Sequence, residues 1–139
     1  MLSKDIGAYL DATNLAAGMI VANAGSETIN GTGIDRRGKN SCVVFAKAGT
    51  ATGSPSSFTF DVEIEHSTAQ GSGFADPSTS HDLTQITANG GSAYLDIDLS
   101  GYNRYVRVNA TVALTGGSSP KLPIAVGIIL GGSDTLPVA

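Results

Sequence analysis

Two histidines, one cysteine and twelve carboxylates are the residues of this chain best suited to acid–base, nucleophilic or metal chemistry. Cys42 is remote in sequence from His66 and His81, and no CxxC or HExxH spacing occurs, so no structural zinc site is expected. Asp96 and Asp98 alternate but lack the further ligands of a calcium loop. Glu63 and Glu65 stand two apart, roughly 6.6 Å by strand rise. That spacing suits the two carboxylates of a glycosidase, provided aromatic sugar platforms flank them; the chain has no Trp and four Tyr. Ser80-His81-Asp82 are consecutive in a turn, the wrong geometry for a proton relay. Gly31-Thr32-Gly33 and Gly71-Ser72-Gly73 lack the lysine and following helix of a phosphate loop. A reactive Cys42 would need an activating neighbour, and its setting in Cys42-Val43-Val44-Phe45 is that of a small buried thiol. No constellation supports an enzyme, and no catalytic, metal or cofactor-binding residue is assigned.

The elements that carry these residues read as strands. Phe58, Phe60, Val62 and Ile64 alternate with Thr59, Asp61, Glu63 and Glu65, which predicts a strand with one apolar and one acidic face. Ala93–Leu99 and Arg104–Leu114 alternate likewise. This places Phe58, Phe60, Val62, Ile64, Leu95, Ile97, Val106, Val108 and Val112 in one core. Asp61, Glu63, Glu65, Asp96 and Asp98 are then expected to face solvent or a basic partner, holding no metal. Leu122–Leu130 is apolar on both faces, the mark of a central or covered strand. Ser41–Lys47 reads the same way, more weakly. Leu83–Thr87, Met19–Ala22 and Thr28–Ile34 are short candidates. Turn residues separate all of these. The expected fold is all-β: an antiparallel sandwich, an eight-stranded jelly roll in its fullest form.

Residues 1–25 differ and are expected to form an N-terminal arm ahead of a single domain over 26–139. Ser3 could cap a short helix reaching Leu10. Ile6, Tyr9, Leu10, Leu15, Met19 and Ile20 make the arm too apolar for a free tail, so it is expected to bury them against its own domain or a partner.

Composition narrows the function classes. Nearly half of the 139 residues are Gly, Ala, Ser or Thr, and 14% are charged, against the composition of a long-helix protein. The net charge of −4 opposes nonspecific nucleic-acid binding, which needs a basic face. Arg36-Arg37-Gly38-Lys39 is the one basic run, and a solvated turn accounts for it. No apolar run reaches membrane-span length, and the first residues lack the apolar core of a signal peptide. A reducing, soluble compartment of synthesis follows as the expectation.

The segment Gly101-Tyr102-Asn103-Arg104-Tyr105-Val106-Arg107-Val108 resembles a strand of small virion proteins of tailed phages. In them, as here, it follows a strand like Phe58–Ser67 and a loop like Gly71–Phe74. The likeness covers Cys42–Leu130. Lys4–Gly25 and the chain length are similar to the jelly-roll cement, or decoration, proteins of short-tailed phages. This resemblance implies a structural virion protein on the capsid exterior, made in the host cytoplasm. It would bind the major capsid protein, pair with itself at two-fold positions, and cement neighbouring capsomers without covalent links. It implies no cofactor, no nucleic acid and no membrane. Ile6, Tyr9, Leu10, Leu15, Met19, Ile20 and Phe74 are the candidate capsid or self contacts. The alternative is a carbohydrate- or receptor-binding sandwich on the virion surface, which would need an exposed aromatic platform; Tyr94, Tyr102 and Tyr105 are its candidates.

Overall fold

The computed structural model describes residues 11–21, 25–77 and 81–133, the first of these and Ser133 in backbone only. Eight strands run β1 (Asp11–Val21), β2 (Gly25–Asn30), β3 (Ile34–Asp35), β4 (Lys39–Ala48), β5 (Ser57–Ser67), β6 (Ser92–Asp98), β7 (Tyr105–Thr115) and β8 (Lys121–Ser133). No helix occurs among the described residues, so none is long and apolar enough to cross a membrane.

The strands form two antiparallel sheets. The first has the order β1-β8-β4-β6; in the second, β7 is flanked by β2 and β3 on one side and β5 on the other. Beyond β5, the stretch 82–86 adds bridges from Ile86 to Phe60 and from Asp82 to Glu63. The pairs β1–β8, β2–β7, β4–β6 and β5 with 82–86 are those made by wrapping one long antiparallel ribbon into a jelly roll. The Leu83–Thr87 candidate therefore supplies a strand position reduced to isolated bridges. Its Leu83 and Ile86 are buried.

Period-two patterning placed the core correctly. Phe58, Phe60, Val62 and Ile64 of β5 and Val106, Val108 and Val112 of β7 are buried, as is Ile97 of β6. They meet Leu122, Ile124, Val126, Ile128 and Leu130 of β8 and Cys42, Val44 and Ala46 of β4 in one cluster. Leu95, expected inside, is half-buried and packs at the rim because β6 is an edge strand. β8 lies between β1 and β4, the central position its two apolar faces predict.

Part of the segment expected as an arm is paired in the sheet: Asp11–Val21 runs antiparallel along β8, with a register shift between Thr13 and Ala16. Met19 stands opposite Pro123 and Ile20 opposite Leu122, while Leu15 falls within the shift. Ile6, Tyr9, Leu10 and the short helix considered before Leu10 lie outside the described residues.

Two loops close one end of the sandwich. Gly53 and Gly117 both have left-handed φ, at 76° and 79°. A Cβ on Gly117 would stand 2.4 Å from the Gly53 oxygen. Ser118 N–H donates to that same oxygen at 2.8 Å, so the β4–β5 and β7–β8 loops touch backbone to backbone.

Candidate functional site

The outer faces of the two sheets have opposite chemistry. On the second sheet, β2, β7 and β5 align side chains in rows across the strands. Thr28 shares a hydroxyl hydrogen bond with Thr111 at 2.9 Å, and Asn109 Nδ2 donates to Asn30 Oδ1 at 2.8 Å. Gln85 Nε2 donates to Asp61 Oδ1 at 2.7 Å. One row further, Arg107 Nε donates to Glu65 Oε2 at 2.5 Å. The Phe74 ring stacks on the same guanidinium, 4.4 Å from centroid to Cζ. Cross-strand register brings Glu65 opposite Arg107, and the 68–77 loop returns over them through paired bonds between His66 and Ala75.

Glu65, expected to face solvent or a basic partner, is buried at 9% exposure and paired with Arg107 of its own chain. Alternation gave its face correctly but could not show that a loop would cover that face. Glu63, Glu65 and Asp76 offer carboxylate oxygens within 4.8 Å of one another and are the described residues best placed to hold a hard cation. Burial raises the Glu63 pKa, helped by the charges of Asp76, Asp82, Glu65 and Asp61. A shallow cavity of about 240 Å³ lies beside it, lined by Asp61, Glu63, Asp82, Asn109 and Thr111 among others. Glu65 is engaged by Arg107, and neither histidine lines this cavity.

Both histidines instead flank Tyr102, which is buried. Its hydroxyl shares a 2.6 Å hydrogen bond with His81 Nδ1, and His66 meets the ring edge-on at 5.6 Å. The Asn103 N–H donates to His66 Nδ1 at 3.2 Å. Burial pushes the Tyr102 hydroxyl up to about 12. Arg36 clamps the same turn by donating to the carbonyls of Tyr102 and Asn103. This is an interior lock, and His81 faces Tyr102 rather than a nucleophile. Cys42 is buried with its thiol pushed up to about 12 by burial and by Asp96, the state of an inert thiol. At the basic turn, Asp35 bridges Arg37 and Arg104 at 2.9 and 2.8 Å. The Arg104 hydrogen bonds hold its carboxyl well below the usual range.

The first sheet is built the other way. Its outward positions carry Val43 and Phe45 on β4, Pro123, Ala125, Gly127 and Ile129 on β8, and Tyr94 on β6. Val43 pairs with Ile129, and Phe45 stands between Tyr94 and Gly127. Tyr94 is 74% exposed, the large apolar side chain most open to solvent among those described. Val43, Phe45 and Ile129 are half-buried. Ser41, Lys47, Ser92, Asp96 and Asp98 form a polar border. An apolar centre with a polar rim is the anatomy of a protein-binding patch.

Of the expected contact residues, Phe74 is half-buried against Arg107 on the second sheet. Leu15, Met19 and Ile20 lie on β1, beside β8. The structure does not bring these together with Phe74 on one sheet. Of the three tyrosines considered for a sugar platform, Tyr102 is buried, Tyr105 lies under Arg104 at 4.9 Å, and Tyr94 stands open. Sequence reasoning did not single out Val43, Phe45 and Ile129, although the two-faced apolar character of β4 and β8 was the signal for them.

No family model and no curated protein matches the chain. Solved structures do, at low identity. A structure of TmCBM61 in complex with β-1,4-galactotriose is similar at 8% identity and TM-score 0.44, covering 89% of this chain and 91% of that one. A structure of the infectious bursal disease virus Gx strain is similar at 10% identity and TM-score 0.43, covering 92% of this chain and 33% of that one. Desmodium yellow mottle tymovirus follows at 6% identity and TM-score 0.35, covering 90% of each chain. Structural neighbours thus include carbohydrate-binding sandwich modules and virus proteins, a likeness that concerns the fold alone.

Proposed function

We propose that the chain is a structural virion protein, not an enzyme, that binds the outside of a tailed-phage capsid and cements neighbouring capsomers non-covalently. The observation that supports this best is the outer face of the first sheet. Val43, Phe45 and Ile129 form a half-buried apolar centre with Tyr94 open beside it, whereas the second sheet's outer polar groups bond largely to one another. Full burial of such a side chain from water is worth about 1.5–3 kcal/mol, and docking gains only the part that remains exposed. A patch of this size gives modest affinity singly and secure attachment when repeated over a lattice. The major capsid protein is the partner in this reading, with a second copy of the chain at two-fold positions and synthesis in the host cytoplasm. The likeness of Lys4–Gly25 to the cement protein of a short-tailed Bordetella phage adds Ile6, Tyr9 and Leu10 as further contacts.

The test has two steps. Capsids purified from a host making the chain should contain it in large, fixed stoichiometry; its absence from them would overturn the reading. Val43→Ser/Phe45→Ser should then abolish co-sedimentation with stripped shells while leaving the β-sheet circular dichroism unchanged. Undiminished attachment of a folded variant would place the contact elsewhere.

A second reading, a virion-surface carbohydrate- or receptor-binding module, is favoured by one observation. Tyr94 is an open ring bordered by the hydrogen-bonding side chains of Ser92, Asp96 and Lys47. It requires saturable binding of an oligosaccharide from a glycan panel, lost in Tyr94→Ala.

A further inference from the structure

The register of β4 on β6 fixes which backbone groups of β6 face outward. Leu99 N–H donates to Asn40 O and Ala48 N–H donates to Gly91 O, both at 2.9 Å, at the two ends of the ladder. In an antiparallel pair such bonded positions alternate. Ala93, Leu95 and Ile97 therefore turn their backbone groups toward β4. Ser92, Tyr94, Asp96 and Asp98 turn theirs to the open side. Among the described residues nothing pairs with that side: β6 is bonded to β4 alone. The edge of the other sheet is treated differently, since β5 is capped along its length by Ala75, Asp82 and Ile86.

Natural edge strands are normally blunted by proline, charged side chains, a bulge or a cover. β6 has seven residues, no proline and an unbroken register, and its charges are Asp96 and Asp98, both negative. Its two faces specify what could lie beside it. Toward the core, Ala93 and Leu95 are half-buried and would gain cover from apolar side chains. Toward the outside, Asp96 and Asp98 are exposed carboxylates. A second β6 is a poor occupant. Antiparallel self-pairing would gather Asp96 and Asp98 of both copies on one face with no cation on either strand, and like charges across a sheet repel.

We propose that the open edge of β6 accepts, by strand addition, an extended polypeptide segment whose side chains alternate between apolar and cationic. Backbone bonds to Tyr94 and Asp96 hold the segment, the apolar side chains cover Ala93 and Leu95, and the cations pair with Asp96 and Asp98. This does not depend on the partner being a shell protein.

The experiment uses the whole chain, isotope-labelled, and two short capped peptides, one alternating Val and Lys, the other Val and Glu. The Val/Lys peptide should slow amide exchange at Tyr94 and Asp96 and bind saturably. The Val/Glu peptide should bind roughly tenfold more weakly or not at all. Asp96→Lys/Asp98→Lys should reverse that order. Asp96→Pro removes an outward N–H without touching the β4 ladder and should abolish binding in a chain of unchanged circular dichroism. If that variant does not fold, the exchange data and the charge reversal decide the matter. Equal binding of both peptides, binding of neither, or protection away from β6 would overturn the proposal. So would concentration-dependent protection of these amides in the peptide-free protein, which would mean that β6 pairs with itself.

Discussion

Replacing Arg107 by leucine tests whether the ion pair on the second sheet matters to folding. The substitution removes the guanidinium that bonds Glu65 and stacks on Phe74. Glu65 is left with a side chain 12% exposed and with Glu63 and Asp76 as neighbouring carboxylates. Removing one partner of a fully buried pair costs about 3–5 kcal/mol. Arg107 keeps 20% of its side chain in solvent, so water softens the loss, and about 2–4 kcal/mol is the expected cost. The cation–π contact contributes about 0.5–1 kcal/mol within that sum. For a chain of this length each kcal/mol moves Tm by roughly 3–5 °C, so a fall of roughly 6–20 °C should appear in a circular dichroism melt at pH 7. The double variant Glu65→Leu/Arg107→Leu leaves no charge to desolvate and should recover much of the loss. A double-mutant cycle should then report a coupling of at least about 1 kcal/mol. An Arg107→Leu protein within about 0.5 kcal/mol of the parent, or a double variant less stable than the single one, would refute this account of the cluster.

Glu63 holds its proton more tightly folded than unfolded, so its ionisation opposes folding. The penalty is absent below its ordinary value of 4.5 and grows as pH rises through the raised value of the folded state. Glu63→Gln should therefore raise Tm at pH 7, with the gain vanishing as pH falls toward 4, as followed by melts across that range. Asp35 has the opposite sign: its lowered pKa stabilises the fold above 3.8 and the contribution is lost as pH falls below that value. Asp35→Asn should thus destabilise at pH 7 and converge on the parent in strong acid. Gly117→Ala meets both a left-handed φ and the Gly53 oxygen at 2.4 Å, whereas Gly90→Ala meets a φ of 72° in open space. Gly90→Ala should cost about 1–2 kcal/mol and Gly117→Ala clearly more, measured by urea unfolding. Cys42 should react with a thiol reagent only as the chain unfolds, because its thiol is buried and protonated.

The fold was legible where one face of a strand is wet. β5, β6 and β7 alternate cleanly, and their inward residues are those the structure buries, with Leu95 at the rim. The short elements were harder for a physical reason. β3 has two residues, and 82–86 holds its place through isolated bridges, so each depends on a neighbouring strand rather than on its own pattern. Glu65 shows the same limit at the level of a site. Its parity is correct, but its burial depends on Arg107 across the sheet and on a loop returning over both, a tertiary fact with no local periodicity. For Phe45 the signal was present: two-faced apolar strands announce a covered face, but not which residues would stay half-buried there.

That difference between the faces bears on what kind of protein this is. Cross-strand bonds on the second sheet run Thr28 to Thr111, Asn30 to Asn109 and Glu65 to Arg107, so its outer side chains satisfy much of their polarity at home. A partner docking there would have to replace bonds already made, and affinity would suffer. Val43, Phe45, Ile129 and Tyr94 have no such bonds to lose. Covering them releases water from apolar surface at little polar cost. The first sheet also ends in the open edge of β6, whose backbone groups add directional bonds to the same side of the molecule. Apolar area and an edge unpaired among the described residues therefore coincide on one sheet, and the proposed association rests on that coincidence.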